Sequence, residues 1–203
     1  MAFTFFFRDS EVPNLIATHV VPTLSGYSKV RIWDGGCAMG PEPYSLAITL
    51  AEKMSNFAFR NIHIDATDID ENENFGKTIE TGVYPVEQLK SVPPEIFFKY
   101  FIPVEKEGHF RVIDTLRQSV HYKQHNLLSL KPLAIGYRLI ICKNVLLHFS
   151  LDERIKVINM FHSALAPGGY FATEQTQELP EELAHLFVRV SNEGPLYLKA
   201  GST

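Results

Sequence analysis

Val30-Arg31-Ile32-Trp33-Asp34-Gly35-Gly36-Cys37-Ala38-Met39-Gly40 runs a β-branched and aromatic strand straight into a glycine-rich turn, and the next apolar run, Ile62 to Thr67, ends on Asp68 and Asp70. A turn freed of Cβ atoms lets the backbone approach a ligand, and a carboxylate at the tip of the neighbouring parallel strand can accept both hydroxyls of a ribose. The pattern therefore points to an adenosine-containing ligand. A glycine run alone is equally the mark of a βα turn that only packs closely. The residues just after the turn separate the candidate ligands. A dinucleotide fingerprint places a third glycine at the start of a helix whose N–H groups face a pyrophosphate. Here Pro41-Glu42-Pro43 stands in that place. Glu42 repels an anion and suits a sulfonium or ammonium group. S-adenosylmethionine (SAM), with both cationic groups and no phosphate, is the expected cofactor, and S-adenosylhomocysteine the expected product.

At 203 residues the chain has room for one full core, so a single domain over 1–203 is expected. A net charge of −4 with scattered Lys and Arg excludes a nucleic-acid binder. The two cysteines, Cys37 and Cys142, lack metal or disulfide spacing and fit a cytoplasmic protein. No stretch approaches the roughly 20 apolar residues of a membrane span. The Phe3-Thr4-Phe5-Phe6-Phe7 run has no basic leader or cleavage signal, so it is expected to pack over the core or the ligand. His121 and His125 have i, i+4 spacing, but their segment reads as a strand, where the rings would stand about 13 Å apart along one face, so no metal site is expected.

Helical spacing of Leu15, Ile16, His19, Val20 and Leu24 predicts a first helix capped by Asp9 or Ser10 and stopped by Gly26. The strand Lys29 to Trp33, a helix from Pro43 to Met54 and the strand Ile62 to Thr67 come next. Helices are expected at Glu71 to Thr81, closed by Gly82, and at Pro93 to Tyr100. The alternating runs His109 to Ile113 and Ser119 to Tyr122 predict a small antiparallel insertion over about 101–122. Beyond it lie a strand Arg138 to Cys142, a helix Leu151 to Ala166 burying Leu151, Ile155, Ile158, Phe161 (or His162) and Leu165, the breaker Pro167-Gly168-Gly169, and a strand Tyr170 to Thr176. A hairpin of Leu186 to Val190 and Leu196 to Lys199 ends the pattern. Strands alternating with helices before a terminal hairpin predict an α/β fold: a Rossmann-like, mostly parallel sheet with helices on both faces and an antiparallel edge, as in class I SAM-dependent methyltransferases.

Seven separated motifs occur in one order: Thr4-Phe5-Phe6-Phe7-Arg8; Ile32-Trp33 with Gly36-Cys37 and Gly40-x-Glu42-Pro43-Tyr44-Ser45-Leu46-Ala47; Ala66-Thr67-Asp68-Ile69-Asp70; Gly82-Val83-Tyr84; Asn126-Leu127-Leu128; Cys142-x-Asn144-Val145-Leu146; and Pro167-Gly168-Gly169-Tyr170. Over nearly its whole length the chain resembles the catalytic domain of CheR-type chemotaxis receptor methyltransferases, which methylate protein glutamates. The resemblance implies a cofactor site of Thr4, Arg8, Gly36, Glu42, Asp68, Asn126, Leu127, Lys143 and Asn144, with Asp68 on the ribose and Glu42 near the methionine part. It implies that Arg8 lines the methyl-transfer site, where His148 stands in place of the family's tyrosine. Other departures are Ala2 for an asparagine, Pro41 for a glutamate and Lys143 for an arginine, which keeps the charge but not the planar fork. Arg8 has a plain reading as a partner of Asp9, Asp70 as a helix cap, and Asn126 as a loop backbone acceptor.

The expected partner is the cytoplasmic helical domain of a chemoreceptor-like protein, and the expected state a monomer. The resemblance implies an upstream helical domain in longer relatives, and the short loop Glu105-Lys106-Glu107-Gly108 gives no reason to expect tethering-peptide recognition. Alternatives are a SAM-binding regulatory module without turnover and a methyltransferase for another carboxylate.

Overall fold

A computed structural model describes residues 4–9, 11–71, 74–174 and 178–201. Ala2, the alternative cap Ser10 and the expected strand end at Thr176 lie outside the described residues. Helix α1 (Glu11–Leu15) starts where Asp9 Oδ1 accepts the Glu11 N–H at 2.8 Å, and continues as a π turn (Ile16–Val20) and a 3-10 turn (Val21–Leu24). Pro22 has no N–H with which to continue α-helical pairing. Strand β1 (Val30–Gly35) runs two residues beyond the predicted end at Trp33. Helix α2 (Pro41–Lys53) begins before Pro43 because left-handed Gly40 turns the chain and Pro41 brings the fixed φ of a first helical residue. A short α3 (Asn56–Phe59), capped by Ser55, leads into β2 (Ile62–Asp68). Helix α4 (Phe75–Thr81) starts later than the expected Glu71, because Asp70 accepts the Asn74 and Phe75 N–H groups at 3.1 and 2.9 Å.

The chain continues through β3 (Val83–Pro85), α5 (Pro94–Tyr100), β4 (Phe101–Pro103), β5 (His109–Val112), α6 (Asp114–Arg117) and β6 (Val120–Gln124). It finishes with β7 (Tyr137–Ile141), α7 (Leu151–Ala164), β8 (Leu165–Ala172), β9 (Phe187–Arg189) and β10 (Leu196–Lys199). A seven-stranded sheet has the order β6-β2-β1-β7-β8-β10-β9, in which β10 runs antiparallel to both its neighbours. This is the predicted parallel sheet with its terminal hairpin.

The expected insertion needs correcting. The Ser119–Tyr122 run belongs to β6, which pairs parallel with β2 from Ile64↔Val120 to Asp68↔Gln124. The separate antiparallel sheet is β3-β5-β4 and recruits Val83–Pro85 from outside 101–122. Alternation of period two is the same for an exposed parallel edge and an antiparallel ribbon, so the pattern could not tell them apart.

Two apolar cores sandwich the main sheet. Val30, Ile32, Ile64, Ala66 and Ile141 face α1, α2 and the small sheet, whereas Trp33, Ile140 and Phe171 face α7. The α7 stripe is displaced from the expected one: Val157, Ile158, Met160, Phe161 and Ala164 are buried, while Leu151 is 53% exposed and Leu165 already belongs to β8. A capping box of Ser150 and Glu153 fixes the helix start, which leaves Leu151 exposed in the first turn. Pro167-Gly168-Gly169 does not break the chain either; it lies within β8 as a bulge, where the register jumps from Tyr137↔Leu165 to Leu139↔Tyr170. A Cβ on Gly169 would stand 2.8 Å from the Tyr137 carbonyl oxygen.

Candidate active site

The C-terminal ends of β1, β2 and β7 open into a cavity of about 690 Å³. Its outer wall is the N-terminal segment, pinned by fully buried Phe6, which packs edge-on against Tyr84 and Phe101 at 5.0 and 5.2 Å between ring centroids. The Phe7 N–H donates to Ser45 Oγ at 3.0 Å, and Thr4, Phe5, Phe7, Arg8 and Asp9 thereby line the cavity. The aromatic run thus divides, with Phe6 in the core and its neighbours over the site.

The turn after β1 is stitched to β2: Gly36 and Cys37 donate their N–H groups to the Thr67 carbonyl at 2.7 and 3.0 Å. Gly36 has φ 102°, and a Cβ there would meet Val145 Cγ2 at 2.1 Å, so this glycine makes room for the chain's own valine. Asp68 faces the cavity, with Oδ2 accepting from the Ala38 N–H at 2.9 Å and Oδ1 from the Asp70 N–H at 3.2 Å. Asp70 has the plainer role of capping α4. Burial alone would raise its carboxyl, but the Tyr122 hydroxyl and the Asn74 and Phe75 N–H groups outweigh that and hold it low.

Asn126 lines the cavity, and its Oδ1 accepts the Leu128 N–H at 2.9 Å, the loop-backbone role read from the sequence. Leu127 supplies apolar wall, and Asn144 has φ 57° with its N–H donated to Glu174 Oε2 at 2.9 Å. His148 closes a 3-10 turn (Leu146–His148) and lies exposed at the rim. All the residues expected to bind cofactor or act in transfer therefore line one cavity.

The charge of the floor is strongly unbalanced. Lys143 is buried and its Nζ lies 3.1 Å from Asp9 Oδ2 and 3.3 Å from Glu42 Oε2. Burial alone would lower its pKa, but Glu42 and Asp9 together raise it, so it stays charged. Burial lifts the Glu42 carboxyl despite Lys143, and its Oε1 is buried with no hydrogen-bond partner among the described residues. Burial and then the nearby carboxylates push both cysteine thiols well up, which leaves Cys37 and Cys142 as packing residues. An orphaned carboxylate oxygen where a dinucleotide would carry its pyrophosphate excludes that anion and fits a sulfonium or ammonium. In the sequence Asp9 reads only as a helix cap and a partner of Arg8, Asp34 only as the residue that opens the glycine-rich turn, and Glu174 belongs to no motif. His121 and His125 part ways, the first stacking on His63 at 4.1 Å and the second set edge-on to Trp33 at 5.7 Å.

Residues 2–193 match the family described as CheR methyltransferase, SAM binding domain. The chain is 32% identical over 171 residues to a chemotaxis protein methyltransferase of Pseudomonas aeruginosa, covering 83% of this chain and 60% of that protein. It is 31% identical over 175 residues to a chemotaxis protein methyltransferase of Borreliella burgdorferi, covering 82% and 61%. The chain thus spans about three fifths of the length of these relatives. A solved methyltransferase of Geobacter sulfurreducens superposes with a TM-score of 0.56 at 10% identity, over 95% of this chain and 80% of that one, a likeness of fold.

Proposed function

Since this chain belongs to the CheR methyltransferase family, with the class I fold and S-adenosylmethionine as cofactor, we propose that it methylates a glutamate side chain on the helical cytoplasmic domain of a chemoreceptor-like protein. The observation that carries this reading is the convergence of Thr4, Arg8, Glu42, Asp68, Asn126, Lys143 and His148 from well-separated segments on one cavity. When bound, the cofactor supplies an electrophilic methyl group on a sulfonium. In this reading Asp68 accepts the ribose hydroxyls and Glu42 faces the cationic end. Thr4, Asn126, Leu127 and the Lys143-Asn144 pair complete the walls.

A carboxylate acceptor is already a nucleophile and needs no general base. The chain's task is to orient it and exclude water. Arg8, at the mouth, offers a fork of donors that matches a carboxylate, and Phe5, Phe7 and Leu147 surround it with apolar surface. His148 can give or take one hydrogen bond at the rim. Neutralising one glutamate on a helical signalling domain changes its electrostatics and thereby its signalling equilibrium.

The test is to incubate the chain with methyl-labelled SAM and a helical receptor fragment, and then to treat the product with base. Label released as methanol is the expected result, because only a carboxyl methyl ester yields it. SAM binding without label in any receptor fragment would leave a binding module, and base-stable label would indicate another side chain.

A further inference from the structure

Asp34 sits on the face of β1 that looks toward α2 and is wholly buried. Neither of its carboxylate oxygens receives a hydrogen bond among the described residues, and neither does Glu42 Oε1. The two side chains are within hydrogen-bonding reach of each other. Lys143 is engaged by Asp9 and by Oε2 of Glu42, and Asp68 at the tip of β2 adds a further negative charge. The remaining titratable neighbours, Cys37 and Cys142, are neutral thiols. With Lys143 held at Glu42 Oε2, the unpartnered Asp34 carboxyl and Glu42 Oε1 satisfy each other only if one of the two groups carries the proton between them.

We propose that Asp34 is a positioning residue for the cofactor's positive charge: it shares one proton with Glu42 in the free protein, and that proton leaves to solvent when the cationic cofactor occupies the cavity beside Glu42. This rests on the cofactor placement above and adds a residue that does not itself line the cavity. Burial first, and the neighbouring Glu42 second, push the Asp34 carboxyl well above its usual range, so the proton is still held at pH values where an ordinary aspartate has lost it. The cofactor's charge then takes over the role of the proton, and the pair becomes a doubly ionised clamp. The consequence is an affinity that rises with pH, at up to about tenfold per unit for one proton released.

Calorimetric titration of the whole chain with SAM, in buffers of different ionisation enthalpy from about pH 5.5 to about pH 8.5, counts the protons released in the interval where a raised carboxyl titrates. Asp34→Asn is the paired variant; the ligand's own amine contributes equally to both chains. The expected result is close to one proton more released by the parent than by the variant, and a flattened affinity profile in the variant. Equal proton counts would overturn the inference while leaving the cofactor site intact. Absence of SAM binding by the parent would overturn both. Should Asp34→Asn not fold, Glu42→Gln serves instead, and a proton count it leaves unchanged overturns the proposal equally.

Discussion

Asp34 and Asp65 stand one register step apart on adjacent strands, Asp34 opposite Ala66 and Trp33 opposite Asp65, and they point to opposite faces of the sheet. Asp65 receives Arg31 Nη2 at 3.0 Å, the Tyr137 hydroxyl at 2.8 Å and His63 Nε2 at 3.1 Å. Asp34 receives nothing from the described residues. Burial alone would raise both carboxyls; the donors of Tyr137, Arg31 and His63 bring Asp65 below the usual carboxylate range, while Asp34 goes well above it. The difference separates an acid that holds strands together from one whose nearest polar neighbour is another carboxyl. A satisfied buried charge is structure, and an orphaned one asks for a ligand.

The contrast is broken most forcefully from the structural side. Asp65→Ala leaves Arg31 and Tyr137 without their acceptor and is expected to cost about 2–3 kcal/mol in chemical denaturation. It should leave the proton count of SAM binding unchanged; a change there would erase the distinction between the two acids. Asp34→Asn should act in the opposite direction and stabilise the ligand-free protein at neutral pH. A Tm rise of roughly 2–4 °C, what about 1 kcal/mol yields in a chain of this size, is expected by calorimetry, and a fall would show Asp34 to be structural.

The two pH dependences have opposite signs. With a lowered folded pKa, Asp65 contributes stability that is present above its unfolded value of about 4 and lost as pH falls through the folded one. With a raised folded pKa, Asp34 favours the native state at low pH and loses that contribution as pH climbs from about 4 through the folded value. Denaturation of Asp34→Asn should therefore be flatter than the parent on the alkaline side and unchanged on the acid side. Tyr137→Phe removes one of the three donors to Asp65 and should cost less than Asp65→Ala, about 1.5 kcal/mol in chemical denaturation.

The parts of the molecule legible in the sequence are those governed by local chemistry. The β1 strand and its turn, the tip of β2 at Asp68, and the Gly82 stop of α4 all come from apolar periodicity and left-handed glycines. The misreadings have tertiary causes. Val120–Gln124 alternates because Val120 is buried while His121 and Lys123 on the other face are exposed, so a parallel edge looks like an antiparallel ribbon. Pro167-Gly168-Gly169 reads as a break, yet the strand passes through it because β7 continues beside it. The α7 stripe depends on where the sheet ends beneath the helix, which no heptad count contains.

The cavity was legible in its lining residues and illegible in its support. Asp68 and Glu42 stand in a recognisable turn, whereas the unpaired state of Asp34 exists only once α2 packs across β1 and takes away its water. Desolvation is a property of the assembled core. The pairing of Lys143 with Asp9 likewise depends on the N-terminal segment folding back over the cavity.

The most direct measurement is a calorimetric titration of SAM into the parent chain and into Asp68→Ala. The parent should bind one SAM per chain, and removal of charge-assisted hydrogen bonds should weaken binding by about 1–3 kcal/mol, roughly tenfold to somewhat more than a hundredfold. Unchanged affinity in Asp68→Ala would contradict the placement of the cofactor across the tips of β1 and β2.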